Sequence, residues 1–83
     1  MKISDAIYQR IQYYMKVNNL NSLWDLYKAT GVPKATINSL FGTKKTTTPR
    51  ITTLIQLCDG LNTNLKDFFN DDIFKNIDDD IWK

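Results

Sequence analysis

Apolar residues recur along this chain at intervals of three and four, the spacing that lines one face of a helix. Ile3, Ile7, Ile11, Tyr14 and Met15 make the first such row. They predict a helix from Ser4 to Asn18, with Ser4 as N-cap and Asp5 complementing the positive end of the dipole. Asn18 and Asn19 suit its exit, because Asn tolerates the left-handed conformation. A second helix opens at Ser22, which with Asp25 has the spacing of a capping box. Leu23, Leu26, Tyr27 and Thr30 line one face of it, and Gly31 supplies the turn that follows. Pro33 suits the start of a third helix, since its missing N–H would be unpaired there. That helix runs to Phe41, with Ile37, Leu40 and Phe41 on its inner stripe.

After a polar loop, TKKTTT, the Thr48–Pro49 pair predicts a fourth helix start. Its expected buried face is Ile51, Leu54, Ile55, Cys58 and Leu61. Asn62 can take a left-handed exit, and Asn64 can cap a short fifth helix carrying Leu65, Phe68 and Phe69. In the last segment Ile73, Ile77 and Ile81 fall at i, i+4 and i+8, beside Phe74 and Trp82. This is a candidate acidic amphipathic helix, closing its own bundle or forming a dimer or partner surface, with the Asp run at 78–80 alternatively a frayed, solvated end. The expectation is an all-α fold of five short helices with an additional short C-terminal helix. Residues 1–70 form the domain and residues 71–83 its acidic extension.

The outer face of the third helix departs from the usual solvated surface. It carries Ala35, Asn38 and Ser39, flanked by Lys34 and Thr36. Exposed helix faces are normally built from strong helix formers such as Lys, Glu and Gln. Asn and Ser form helices poorly but pair well with base edges, Asn bidentately with adenine, and the Ala methyl can meet a thymine methyl.

Charge sharpens this picture. The net charge is +2, but residues 22–50 hold five bases and one acid, whereas residues 71–83 hold two bases and five acids. The basic block coincides with the suspected reading face, a mild form of the footprint of a nucleic-acid binder. Composition removes other classes. All nine acids are Asp, and His is absent, which excludes a Cys/His zinc site and histidine acid–base catalysis. The single cysteine, Cys58, cannot form an internal disulfide, which fits a reducing compartment. No paired acids on a cleft stand out, so no enzyme, cofactor or metal is expected. The first sixteen residues contain no long apolar run, so neither a signal peptide nor a membrane span is expected there, and a cytoplasmic location is. At 83 residues the chain is one domain, able to bury about 60% of its unfolded surface.

SLWDLYKATGVPKATINSLF, a basic loop, and then TPRITTLIQLCDGLNTNLKDFF together resemble the lambda-repressor-like, Cro/XRE-type helix-turn-helix domain. The similarity spans about residues 7–69. Its most specific parts are Thr30-Gly31-Val32-Pro33, the Thr36-Ile37 pair, and Leu61 followed by Asn64-Leu65-Lys66-Asp67-Phe68-Phe69. The resemblance implies a bundle whose third helix enters the major groove of DNA. Carried over by position, it makes Lys34, Ala35, Asn38 and Ser39 base-reading candidates. Ser22, Thr36, Thr43, Lys44, Lys45 and Arg50 become phosphate-contact candidates. Leu23 stands where such domains often place a phosphate-binding Gln, Tyr27 where they usually place Ala, and Asn62 where Gly is common. The function so implied is sequence-specific binding of a double-stranded operator by a small bacterial or phage transcriptional repressor, acting as a homodimer. The alternative is a DNA-binding antitoxin whose acidic C-terminal helix grips a partner protein.

Overall fold

In the computed structural model, which describes residues 1–41 and 48–78, five α-helices and one 3-10 helix follow one another, with no strand among the described residues. Helix α1 (Ile3–Val17) buries Ile7, Ile11 and Met15 of the expected row, with Ile3 and Tyr14 partly buried, together with Ala6 and Arg10. It starts one residue before Ser4. Lys2 is the N-cap and makes no side-chain capping bond, while Ser4 is buried inside the first turn. The exit follows expectation: Asn19 sits at φ +58°, and the Asn18 amide donates to Tyr14 O at 2.7 Å and Leu61 O at 2.9 Å.

Helix α2 (Leu23–Thr30) takes Ser22 as its N-cap as expected, but the second half of the capping box is shifted by one residue, to the Asn21 N–H. The Asp25 N–H donates to Ser22 Oγ at 3.1 Å, and the Asn21 N–H donates to Asp25 Oδ2 at 3.0 Å. It ends at Gly31, whose φ of +71° is strained for any residue with a Cβ. Buried Thr30 secures this turn by donating to Leu26 O and accepting the Val32 N–H. Helix α3 (Lys34–Leu40) takes Pro33 as its N-cap, one position outside the helix rather than inside it. Ile37 and Leu40 are buried, and Phe41 packs edge-on against Tyr8 of α1 at 4.8 Å.

Helix α4 (Ile51–Gly60) starts two residues later than the Thr48–Pro49 signal predicts, with Arg50 as N-cap. Its buried face also differs. Leu54, Leu57, Cys58 and Leu61 are core, whereas Ile51 is 61% and Ile55 50% exposed. The cause is a close approach to α2. A Cβ on Gly60 would lie 2.6 Å from Ala29 O and from Thr30 Cα, so only glycine lets the helices meet here. At 100° per residue, Gly60 lies beside Leu57 and away from Ile51 and Ile55. Contact on that side rolls Leu57 inward and leaves the two isoleucines outside. The Gln56 amide then reaches Thr30 O at 3.1 Å, satisfying a carbonyl at the C-terminus of α2.

Asn62, at φ +58°, makes the exit expected of it, and the Asn64 side chain accepts the Asp67 N–H to open α5 (Leu65–Phe68). Fully buried Phe68 joins the core formed by α1 to α4. The segment after it is not the amphipathic α-helix that Ile73, Ile77 and Ile81 predict. Asp71 caps a 3-10 helix at Asp72–Asn76, and Ile77 is extended; Ile81 and Trp82 lie outside the described residues. Three residues per turn break the i, i+4 row, and Phe74 packs instead on Phe69 at 4.9 Å and against the core.

Candidate DNA-reading surface

The turn at Gly31 sets α3 beside the N-terminal half of α2, and the outer side of this pair is where the sequence-predicted site residues gather. Lys34, Ala35, Asn38 and Ser39 are all exposed, while Thr36 is half-buried at their edge. Ile37 and Leu40, anchored in the core, aim this face outward. Ser22 is exposed at the start of α2, its hydroxyl already accepting the Asp25 N–H. Arg50 is exposed at the start of α4. Thr43, Lys44 and Lys45 lie outside the described residues.

The hydrogen-bonding state of these groups differs in a way that bears on recognition. The Asn38 amide has no protein partner among the described residues, so its donor and acceptor are both available to a base edge. The Ser39 hydroxyl donates to Ala35 O at 3.0 Å, which leaves its oxygen free to accept. Lys34 has no carboxylate partner among the described residues. Its ammonium instead stands 4.1 Å from the centroid of the Trp24 ring and 5.4 Å from that of Tyr27.

Trp24 and Tyr27 escape sequence reasoning as parts of this surface. Tyr27 lies partly against the core and reads as one more apolar position of α2; Trp24 reads as an edge residue of the same stripe. In the fold their rings pack 5.4 Å apart at 37°, and Trp24 is 51% exposed. With Leu23, Ile37, Lys34 and Asn38 they line a shallow groove of about 230 Å³ between α2 and α3. The only available signal was spacing: Trp24 and Tyr27, three apart, share a face of α2 with the cation of Lys34 close in sequence.

Arg10 is only 7% exposed, and its bonds run to the C-terminus of α5: Nε donates to Phe68 O at 2.7 Å and Nη2 to Asp67 O at 2.8 Å. It is structural. Cys58, on the buried face of α4, has its thiol pushed above the ordinary range by burial, so it stays a protonated small hydrophobe. The described residues contain no cluster of metal-ligating side chains, and no helix among them is long and apolar enough to cross a membrane.

Residues 10–72 match the family model of the Cro/C1-type HTH DNA-binding domain. No curated protein and no solved structure gives a match. The matched segment runs from the middle of α1 into the closing 3-10 helix, far more than half of the chain, and contains the whole α2–turn–α3 unit. The chain therefore belongs to the Cro/C1-type helix-turn-helix DNA-binding domain family.

Proposed function

We propose that this DNA-binding domain acts as a sequence-specific transcriptional repressor of the small bacterial or phage kind, reading the major groove with α3. The observation that carries this reading is the exposed, uncharged Ala35–Asn38–Ser39 face, with, at its centre, an Asn38 amide that has no partner among the described residues. Helix α3 is short enough, and its neighbour α2 close enough, for both to meet one duplex. In this reading Lys34, Ala35, Asn38 and Ser39 face base edges. Ser39, its hydroxyl hydrogen committed to Ala35 O, serves as an acceptor and suits an amino group of cytosine or adenine. Ser22, Thr36, Thr43, Lys44, Lys45 and Arg50 hold phosphates and fix the register. Occupancy of the operator excludes polymerase.

Repression through two half-sites, roughly 34 Å apart, requires a second copy. The exposed Ile51–Ile55 pair at the start of α4 is the apolar surface that favours one. The acidic tail is a weaker candidate for gripping a partner, since Phe74 is spent on Phe69 and the core. The test is titration of duplex DNA at several salt concentrations, with sedimentation of the complex. The expected result is a steep loss of affinity with salt and two chains per operator. Negligible binding to every duplex at low salt would contradict the proposal.

A further inference from the structure

We propose that Trp24, supported by Tyr27, is a positioning residue that makes Lys34 a reader of one base pair rather than a general phosphate contact; this rests on α3 reading the major groove. A lysine is ill suited to base recognition on its own. Its ammonium is a point charge on a flexible stem with rotatable donors, and nothing in the side chain itself directs it to a base edge instead of the nearest phosphate. In this protein the stem is not left free. The ammonium lies over the Trp24 face at 4.1 Å and within 5.4 Å of the Tyr27 centroid, both inside the ~6 Å range of cation–aromatic attraction.

Three further observations join this one. Trp24 is half exposed, so its ring is spent on a surface task rather than on the core. It also draws a second cation, Lys28, whose ammonium lies 5.9 Å from its centroid, so the ring is the electrostatic focus of this edge. The third is placement. Lys34 and Asn38 are one helical turn apart on α3 and line the same groove as Leu23, Tyr27 and Ile37. An Asn38 amide set on one base therefore brings the Lys34 ammonium to a neighbouring one, on the side of α2. The ligand chemistry for a held ammonium is the paired acceptors O6 and N7 of guanine. Part of the rotamer freedom that a free lysine would lose on binding is already lost in the unbound protein.

The test compares the full chain with Trp24→Leu, Trp24→Phe and Lys34→Gln. Each protein selects from a random duplex pool and is then titrated with the duplex that the unaltered chain enriches and with single-pair changes of it. The expected result is a guanine preference at one pair that falls about tenfold or more in Trp24→Leu and in Lys34→Gln and survives in Trp24→Phe. Preferences elsewhere stay, and the salt slope of Trp24→Leu is unchanged, because its charge is intact. Before any DNA is added, the Lys34 ε-methylene protons resonate upfield under the aromatic ring current and move to ordinary positions in Trp24→Leu. A Trp24→Leu profile identical to the unaltered one at every pair, or a Trp24→Leu loss spread equally over all duplexes, overturns the proposal. Failure of the unaltered chain to enrich any sequence overturns instead the reading on which it rests.

Discussion

Among the described residues, two cations sit against pairs of aromatic rings, and they are used in opposite ways. Arg10, between Tyr13 and Tyr14 at 4.9 Å from each centroid, is buried. Its fork is consumed by Phe68 O, Asp67 O, the Tyr14 hydroxyl at 3.2 Å and Asp71 at 3.4 Å. It closes the C-terminus of α5, where orphan carbonyls need donors, and ties the closing segment to α1. Lys34, over Trp24 and Tyr27, keeps every donor unspent among the described residues. The choice of residue follows the task. A planar guanidinium suits fixed, multiple, internal acceptors, and an ammonium on a groove rim suits an acceptor that arrives with a ligand. One end of this contrast is thus satisfied within the protein; the other is left chemically open.

Breaking the satisfied end should cost most. Arg10→Met removes charge-assisted bonds from two backbone carbonyls and should lower unfolding free energy by about 2–4 kcal/mol, read by denaturant titration. Wherever the variant remains folded, its base preferences should be unchanged. Gly60→Ala gains about 1 kcal/mol in helix propensity. It also drives a methyl into Ala29 O and Thr30 Cα, so a net loss of about 1–2 kcal/mol is expected, visible as a lower Tm. At the open end, Asn38→Ala should leave Tm unchanged or slightly raised, because alanine is the better helix former. It should relax discrimination at one base pair by about 1–3 kcal/mol, measured by competition among duplexes.

The smallest effect is electrostatic. Met1's amino group donates to Asp78 Oδ1 at 2.8 Å, and the Asp78 N–H returns a bond to Met1 O at 3.1 Å. The ammonium hydrogen bond, reinforced by its charge, holds the exposed Asp78 carboxyl below its usual range. The folded value is the depressed one, so the clasp's contribution is present above the ordinary carboxylate range. It is lost as pH falls through the folded value. Amide exchange at Ile77 and Asp78 should therefore speed up, relative to the rest of the chain, only at acid pH.

The helix-turn-helix itself was legible because each device there is local: Ser22 with Asp25, Gly31 at the turn, and a short inner stripe on either side. The same holds for Asn19, Asn62 and Asn64. Long-range packing decided what was not legible. Ile51 and Ile55 fit a buried row as well as Leu57 does until Gly60 brings α2 against one side of α4. The Ile73–Ile77 spacing reads as α-helical, but the Asp71 cap, whose carboxylate accepts the Ile73 N–H at 2.9 Å, starts a tighter turn that seats Phe74 on Phe69. The exposed face of α3 was readable from residue type. The aromatic support beneath Lys34 was not: Trp24 reads as an edge residue of the α2 stripe and Tyr27 as a bulky replacement for the usual Ala, and their contact with Lys34 emerges only once the helices are placed.

The contrast between the open and the satisfied end is tested most directly by mapping backbone amide shifts as a selected duplex is added to the full chain. The account predicts that the large changes cluster at Ser22–Asp25 and Lys34–Phe41, with little change at Arg10, Tyr14 or residues 67–78. Changes centred on α1 and the closing 3-10 helix, with α3 undisturbed, would contradict it.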